Sequence, residues 1–506
     1  MLWVVLDGMG FEHVRRALRS NLHPALSRID REGCFAPLRP ANPVCQTPPA
    51  LLALFTGTQP AQNGVWGYRM PDPDRLEGSL SGFHADIGTL RTIWREMEER
   101  GAGYSLMNVA FRGDPIWKGQ AQHLIFGFDG YRLWRKPSLY RLPHGTERIV
   151  YHGLQVLVRS SRRAVSLARG GTVRATLAAG EGGYVDFTKG TRVFAHLLEP
   201  ATLLLNPMNI AVCRGSEVSP ARRDGFLEMS AFHVARRLSS SRDPSREVSV
   251  DAELLASKVS LESKTDMMVE QARNGKARLV IGYFPVMDDF NHAYFDLLLR
   301  EEDRASALFH GCMGMVDGLL TRLMTEMEDG ALLVISSDHG AMAYSRMLHI
   351  NEVLARAGLV RKVPGGYDFS SSSAWYHPSD CGQVVARASS DRATLLRRVK
   401  LALDEANAAG ADIGVLDGDR ESPFLVFLYA RGETYFTGRP PRRGQPTLDN
   451  KRAGGHHLSP LSPTPWMQAT LGLWSPRHGG VKGLGAVIPN ENSQMKGFLM
   501  EAMGLI

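Results

Sequence analysis

The sequence predicts an α/β protein built around a mostly parallel sheet. Residues Leu2–Leu6 form an apolar run bounded by Asp7 and Gly8, which predicts a buried strand close to the first residue. Residues 14–29 carry apolar side chains near helical spacing, and Tyr104–Val109 forms the next apolar run. A strand followed by a helix and another strand indicates parallel pairing, because the crossover returns the chain in the same direction.

The same alternation resumes in the second half of the chain, between two long interruptions. It predicts strands at 277–284, 330–336 and 469–474 and helical segments at 299–326, 350–360 and 493–503. We therefore expect one α/β core flanked by helices, formed by residues 1–110, 275–343 and 455–506, with a basic cap inserted at 111–274 and a second insertion at 344–454.

Composition excludes a disordered chain and suggests an anionic ligand. Of the 506 residues, 43% are hydrophobic and 22% are charged, as in ordinary globular proteins. The net charge of +7 suits an anionic substrate but does not require nucleic acid. Residues 121–180 hold ten Lys and Arg against two acidic residues. This stretch is either a solvated basic face or a cap that attracts the substrate.

Cysteine usage and targeting signals predict a cytoplasmic protein. Five cysteines show neither zinc-ribbon nor redox-pair spacing, which favours free thiols in a reducing compartment: Cys34, Cys45, Cys213, Cys312 and Cys381. No apolar run reaches the ~18 residues of a membrane span, and the first residues do not have the pattern of a signal peptide. A translation start further upstream would change this expectation.

Acidic and histidine side chains follow three of the predicted strands. Asp7 follows the first, Asp288 and His292 follow the strand at 277–284, and Asp338 and His339 follow the strand at 330–336. The carboxyl ends of strands are where open α/β sheets place their sites. Asp288 and His292 are four residues apart, one helical turn, so both can face one cation.

A further pair, His456 and His457, lies in the segment GGHHL, where glycines permit close backbone approach. Mixed imidazole and carboxylate ligands favour zinc, with manganese as the alternative, over magnesium or calcium. The ligands suffice for two divalent ions.

Five blocks of the sequence carry a family resemblance. VVLDGMG, NPVCQTPPALLALFTGTQPAQNGVWGYR, YFPVMDDFNHAYF, VISSDHGA and GGHHL occur in this order. Together they resemble the alkaline phosphatase superfamily, in particular its type I phosphodiesterase/nucleotide pyrophosphatase branch and the related phosphohydrolases and phosphomutases. The resemblance implies an alkaline-phosphatase-like core with a central sheet.

The resemblance also implies a role for each candidate residue. Thr47 precedes the Thr56-Gly57 pair by nine residues and so matches the nucleophile, which also contacts metal. The remaining ligands match at Asp7, Asp288, His292, Asp338, His339 and His456. His457 stands where the family usually has glycine, so His456 is preferred and His457 is the alternative.

Three positions depart from related patterns. Cys45 lacks the Cys-x-Pro-x-Arg context of the sulfatase nucleophile, and we expect it to be a small buried residue. The usual His-Gly that follows the Thr-Gly block is Asn63-Gly64 here. Tyr68, followed by Arg69, stands where the nucleotide pyrophosphatases have a phosphoryl-binding asparagine, so the two residues either stabilise the same charge or are ordinary loop residues.

These observations predict a two-metal hydrolase of phosphate esters, either diesters and pyrophosphates or monoesters, acting through a phosphothreonine intermediate. A phosphomutase or a phosphonate-cleaving hydrolase is the alternative within the superfamily. A catalytically silent metal-binding relative is the alternative of another class, although every ligand and nucleophile position is filled. The expected partner is a small anionic phosphate compound, not a membrane or a specific nucleic acid, and the oligomeric state is left open.

Overall fold

The structure is a computed structural model of the whole chain. It describes residues 1–72, 75–109, 111, 123–126, 138–151, 153–161, 163–188, 191–199, 201–207, 213–214, 232, 235–236, 248–273, 277–377, 382–387, 391–418, 424–450, 453–457, 461–477 and 487–506.

The strands in these ranges are, in chain order, β1 (Leu2–Leu6), β2 (Cys34–Leu38), β3 (Arg69–Pro71), β4 (Ser79–Ser81), β5 (Tyr104–Val109), β6 (His123–Phe126), β7 (Ser138–Arg141), β8 (Gly145–Tyr151), β9 (Leu154–Ser160), β10 (Ala164–Arg169), β11 (Thr172–Ala178), β12 (Gly182–Thr188), β13 (Thr191–Glu199), β14 (Thr202–Pro207), β15 (Cys213–Arg214), β16 (Leu279–Phe284), β17 (Leu333–Ser336), β18 (Met342–Tyr344), β19 (Arg346–His349), β20 (Arg361–Val363), β21 (Gly366–Asp368), β22 (Ala374–Tyr376), β23 (Gln383–Ala386), β24 (Ile413–Asp417), β25 (Phe424–Ala430), β26 (Thr434–Thr437), β27 (Leu448–Asp449), β28 (Ala453–His456) and β29 (Ala469–Trp474).

The α-helices are α1 (Phe11–Ser20), α2 (Pro24–Glu32), α3 (Thr47–Thr56), α4 (Pro60–Asn63), α5 (Ile93–Glu99), α6 (Val250–Arg273), α7 (Val286–Leu299), α8 (Asp303–Glu326), α9 (Ile350–Arg356), α10 (Arg392–Ala408) and α11 (Met495–Ala502).

A central sheet of eight strands organises the molecule, in the order β15-β6-β5-β16-β1-β17-β29-β2. The strands from β6 to β17 pair in parallel, whereas β15, β29 and β2 pair antiparallel at the two edges. The predicted α/β class and the mostly parallel centre are therefore confirmed, and the sheet as a whole is mixed.

Strand β1 lies in the middle of the sheet because apolar residues cover both of its faces. Every side chain of Leu2–Leu6 is buried, as a parallel strand covered by helices requires. The register places Leu6 beside Phe284 of β16 and Val5 beside Ser336 of β17. The carboxyl ends of these three strands therefore meet at one edge.

The helix expected at 14–29 is wrong as a single element. The chain forms α1 and α2 instead, separated by Asn21 in the left-handed conformation. Pro24 at the start of α2 explains the break, since proline fits the first helical turn but not a helix interior. Helix α5 begins after Thr92, whose side chain accepts a hydrogen bond from the Arg95 backbone N–H.

The range 111–274 contains two antiparallel sheets, β11-β10-β9-β8 and β12-β13-β14-β7, which share a hydrophobic cluster of their own. Arg148, Arg159 and Arg174 are exposed on the first of these sheets. Helix α6 belongs to the same range, yet its Met268 is buried in the main cluster.

The range 344–454 contributes the sheet β22-β23-β25-β24, packed with α9 and α10 around a separate cluster that includes Trp375. Cys34, Cys45 and Cys312 are free thiols, and the side chains of the other two cysteines lie outside the description. None of the described helices combines the length and apolar character needed to cross a membrane.

Candidate active site

The sheet brings the predicted ligands to one edge. Asp7 follows β1, Asp338 and His339 follow β17, and Asp288 lies in the first turn of α7, which begins directly after β16. Gly8 permits the close approach of β1 to α7: its φ is +68°, and a Cβ there would lie 2.8 Å from the Cα of Asp288.

Asp7, Asp338 and His339 form a first buried group whose ligand atoms lie within 4.8 Å of one another. The Nε2 atom of His339 is 3.3 Å from Oδ1 of Asp7 and 3.3 Å from Oδ2 of Asp338. The other oxygen of Asp338 accepts the backbone N–H groups of Gly8 at 3.2 Å and His339 at 3.0 Å. Backbone donors thus fix Asp338 with one oxygen directed into the group.

Asp288, His292 and His457 form the second group. The predicted helical spacing brings Nε2 of His292 to 3.3 Å from Oδ2 of Asp288. The Nε2 atom of His457 lies 3.3 Å from Nε2 of His292 and 3.7 Å from Oδ1 of Asp288. Three potential ligands therefore converge on one point.

His292 and His339 each present the correct ring nitrogen for metal binding. Nδ1 of His292 faces the carbonyl of Gly455 at 3.0 Å, and Nδ1 of His339 faces the carbonyl of Gly340 at 2.9 Å. A carbonyl can only accept, so Nδ1 carries a proton in each ring and Nε2 is the nitrogen that faces the ligand group. This backing of a ligand histidine by a carbonyl is typical of metal sites.

Unpaired carboxylate oxygens show that the two groups fit cations. Oδ1 of Asp7, Oδ1 of Asp288 and Oδ2 of Asp338 are buried and accept no hydrogen bond. An unsatisfied buried acceptor is costly unless something else pairs with it. A metal ion in each group would satisfy these oxygens, so the donor set suits the predicted metal centre.

Burial and mutual repulsion raise the pKa values of the carboxyl groups in the first group. Burial first, and then the charges of Asp338 and Asp288, raises the pKa of Asp7 well above its usual range. Burial and the charge of Asp288 raise the pKa of Asp338 to about 8. Because burial and mutual repulsion disfavour the ionised carboxylates, a bound cation would stabilise them.

In the second group an ion pair outweighs burial. Burial would lower the pKa of His292, but the charge of Asp288 raises it to about 9. Burial would raise the pKa of Asp288, but the charge of His292 brings it below its usual range. Burial, followed by the proximity of His339, lowers the pKa of His457 well below its usual value, which leaves a neutral imidazole able to bind metal.

The structure places His457, rather than the preferred His456, with Asp288 and His292. Nδ1 of His456 instead accepts the backbone N–H of His457 at 2.9 Å, and its ring packs 4.8 Å from that of Tyr435. Consecutive side chains of an extended segment point in opposite directions, so only one of the pair can enter the group. The pairing of β28 with β18, where Met342 lies beside His456, decides which one does.

Thr47 reaches the first group from the start of α3. Its side chain is buried, and Oγ1 lies 3.5 Å from Nε2 of His339. Thr56, at the other end of the same helix, has Oγ1 bonded to the Leu52 carbonyl and to Thr58, as a structural residue would. Of the two threonines, Thr47 is the one brought to the ligands.

Comparison with known families identifies the group to which the chain is related. The sequence profile of the family described as type I phosphodiesterase / nucleotide pyrophosphatase matches residues 1–423. The chain belongs to this family. It is therefore a phosphoric ester hydrolase of the phosphodiesterase/nucleotide pyrophosphatase type. A comparison with curated protein sequences gave no match.

Two solved structures share the fold at low sequence identity. Human ectonucleotide pyrophosphatase/phosphodiesterase 5 is 12% identical with a TM-score of 0.53, and the alignment covers 100% of this chain and 95% of that one. Phosphonoacetate hydrolase from Sinorhizobium meliloti, solved with phosphonoformate, is 14% identical with a TM-score of 0.50, covering 99% and 95%. Both support an alkaline-phosphatase-like core.

Cys45, Tyr68 and Arg69, which depart from related sequence patterns, differ in their contacts and exposure. Cys45 is buried, as expected, and its thiol donates to the carbonyl of His457 at 2.9 Å, so it supports the ligand loop. The Tyr68 backbone N–H donates to Oε1 of Gln46 at 2.6 Å, next to Thr47. Arg69 is exposed at the start of β3.

Sequence reasoning missed three supporting residues of the site. Asn291 donates to the carbonyl of Gly8 at 2.8 Å and contacts Nε2 of His13 at 2.9 Å. Tyr283, within β16, donates its hydroxyl to Oδ2 of Asp7. Asn291 lies inside the DDFNH block and Tyr283 just before it, but neither residue type is a ligand by itself.

Proposed function

We propose that the protein is a two-metal hydrolase of phosphate esters with Thr47 as its nucleophile. The observation that carries the proposal is the convergence of two ligand groups with Thr47, whose Oγ1 lies 3.5 Å from Nε2 of His339. Asp288, His292 and His457 would hold one ion, and Asp7, Asp338 and His339 the other. The ion held by Asp288 and His292 is thus assigned His457 in place of His456.

The mixture of three carboxylates and three imidazoles supports zinc, with manganese as the alternative. When bound, two such ions would lower the pKa of a threonine hydroxyl and neutralise the charge on phosphoryl oxygens. The chain's own task is to fix the ligands, and it does so through carbonyls behind His292 and His339 and backbone N–H groups on Asp338.

Thr47 carries the covalent step. Its Oγ1 forms a bond to phosphorus while the bond to the leaving-group oxygen breaks, which gives phosphothreonine and releases an alcohol. Water then displaces the threonine, which restores the hydroxyl and releases phosphate or a phosphomonoester. The positive end of the α3 dipole lies at Thr47 and favours the ionised oxygen.

The first turn of α3 limits how the phosphoryl group can be bound. Pro48 and Pro49 follow Thr47 and have no backbone N–H. The helix start therefore supplies its dipole but not the row of N–H donors that commonly binds phosphate. This absence supports a site in which cations, rather than backbone amides, neutralise the phosphoryl oxygens.

The substrate is proposed to be a small anionic phosphate compound, and its ester type is left to experiment. The fold is shared with a pyrophosphatase/phosphodiesterase and with a phosphonate hydrolase. A phosphonate-cleaving or phosphomutase activity is therefore the competing proposal, and products separate the three. A diesterase releases an alcohol and a monoester, a phosphonatase releases a carbon acid, and a mutase releases no net phosphate.

Substitution at Thr47 tests the proposal. Thr47→Ala should reduce turnover of the best p-nitrophenyl mono- or diester by several orders of magnitude, whereas Thr47→Ser should keep measurable activity. Both variants should retain metal, because carboxylates and imidazoles provide most of the ligation. Acid quenching during turnover, followed by mass spectrometry, should find the phosphoryl group on the peptide that contains Thr47.

The matched control is Thr56→Val, a substitution in the same helix at a threonine remote from the ligands. It should leave turnover within a few-fold of wild type. Near-native turnover of Thr47→Ala would contradict the nucleophile assignment. A wild-type protein that holds no tightly bound metal and hydrolyses no ester in the panel would instead support the silent relative.

A further inference from the structure

Tyr283 lies directly beside the first ligand group. It is the fifth residue of β16, is almost fully buried, and pairs in register with Val5 of β1, two residues before Asp7. From there its hydroxyl donates a hydrogen bond to Oδ2 of Asp7. The other oxygen of Asp7, Oδ1, is buried and accepts no hydrogen bond.

The two oxygens of the other carboxylate in this group, Asp338, also differ in their contacts. In Asp338, Oδ1 accepts two backbone N–H groups, while Oδ2 is buried without a hydrogen-bond donor and faces His339. One oxygen is anchored and the other is directed at the shared point. For Asp7 the anchor is a side chain, the phenol of Tyr283.

We propose that Tyr283 is a positioning residue that holds Asp7 so that only Oδ1 is presented to the ion bound with Asp338 and His339. The inference rests on the proposed two-metal function. It assigns Asp7 to one ion as a single-oxygen ligand, and it makes the affinity of that ion depend on a hydroxyl that acts through Asp7.

Loss of the hydroxyl should weaken one ion selectively. Without it, Oδ2 of Asp7 becomes a buried acceptor with no donor, and the carboxylate can rotate or engage the ion through both oxygens. Removing a hydrogen-bond partner of a metal ligand typically costs 10–100-fold in metal affinity. The Asp288, His292 and His457 group has its own anchors, such as the Gly455 carbonyl, and should not respond.

The experiment is a metal titration of Tyr283→Phe in the full-length, metal-stripped protein. Zinc is titrated against a chromogenic chelator of known affinity, so that two dissociation constants are obtained. We expect one constant to rise about 10–100-fold and the other to stay within about 3-fold of wild type. The matched control is Tyr104→Phe, which also removes the hydroxyl of a buried tyrosine. Tyr104 lies on the neighbouring strand β5 and pairs with Leu279, at the end of β16 that is further from Tyr283. It should change neither constant.

A double variant separates positioning from general stability. If Tyr283 acts only through Asp7, then adding Tyr283→Phe to Asp7→Asn should cause no further loss of metal affinity. This expectation for the double variant does not change if the single variants also lower thermal stability. Two unchanged constants, an equal loss at both sites, or an additive loss in the double variant would each overturn the inference. A wild-type protein that binds fewer than two ions would overturn the proposed function itself, and this result is visible before any variant is made.

Discussion

Replacing His457 by alanine tests the choice between the two adjacent histidines. In the structure, Nε2 of His457 lies 3.3 Å from Nε2 of His292 and 3.7 Å from Oδ1 of Asp288. His456 lies outside this group, with Nδ1 occupied by the backbone of its neighbour. His457→Ala should therefore remove a metal ligand, whereas His456→Ala should remove only a supporting contact.

The two effects differ enough in size to be separated. Loss of a hydrogen-bond partner behind a ligand already costs 10–100-fold in affinity, so loss of the ligand His457 should exceed about 100-fold, or about 2.7 kcal/mol. His456→Ala removes one partly exposed hydrogen bond of 2.9 Å, worth about 0.5–1.5 kcal/mol, so affinity should fall by about 10-fold or less.

Elemental analysis after dialysis, together with chelator competition, measures both variants. His457→Ala should hold about one ion less than wild type, while His456→Ala should hold the wild-type number. Melting curves of the metal-free proteins control for folding, because both rings pack among neighbouring aromatic side chains. If His456→Ala loses the ion and His457→Ala retains it, the ligand assignment drawn from the structure is refuted.

Two further predictions concern residues that support the site. Burial lowers the pKa of His13 from 6.5 to about 4, so between these pH values the unfolded chain binds a proton at this residue and the folded protein does not. The contribution of neutral His13 to the free energy of unfolding is therefore fully present above pH 6.5. It falls by about 3 kcal/mol as the pH drops from 6.5 through 4. Urea unfolding of wild type and His13→Gln at pH 7 and pH 4.5 should therefore show a smaller acid loss in the variant, and parallel losses would argue against this role. At Gly340 a Cβ would lie 1.9 Å from the Trp466 carbonyl, so Gly340→Ala should destabilise the fold by more than about 2 kcal/mol and lower metal content. Gly497→Ala, in a helix with no atom within 4 Å of its Cβ, should be neutral or stabilising by urea unfolding, and an equal loss in both variants would contradict the clash.

The sequence indicated the candidate ligands because strand ends are marked by a change from apolar to polar residues. Asp7 and Asp338 each follow a fully buried strand, and such runs are visible without knowledge of tertiary structure. The spacing of Asp288 and His292 likewise depends only on the helical repeat, which α7 provides.

What the sequence could not show depends on strand register. The contact between Tyr283 and Asp7 exists because β1 and β16 pair with Val5 opposite Tyr283. In the sequence this tyrosine is one aromatic residue in an apolar run and predicts only a buried position. His456 and His457 present the same difficulty, since a shift of one residue exchanges the two faces of an extended segment.

The sequence pattern did not predict where α1 ends and α2 begins, and the reason is local. Apolar spacing continues across residues 14–29, but His23 and Pro24 interrupt the backbone between α1 and α2. Because α2 starts as a separate helix, the backbone N–H of Leu26 in its first turn has no partner within α2. It donates instead to Asp317 of α8 at 2.9 Å, which connects the two helices. Periodicity alone reports which face is apolar, not where the hydrogen bonds of one helix stop.

The basic range 111–274 is connected to the site through the strand that carries Tyr283. Its last element, α6, packs on α8 and on β16, and Met268 of α6 closes over Gly282, where an added Cβ would lie 2.8 Å from the methionine sulfur. Gly282 is the residue before Tyr283. Helix α6 therefore packs against the strand whose Tyr283 hydroxyl donates to Asp7. Strand β16 is thus the element that contacts both α6 and the first ligand group.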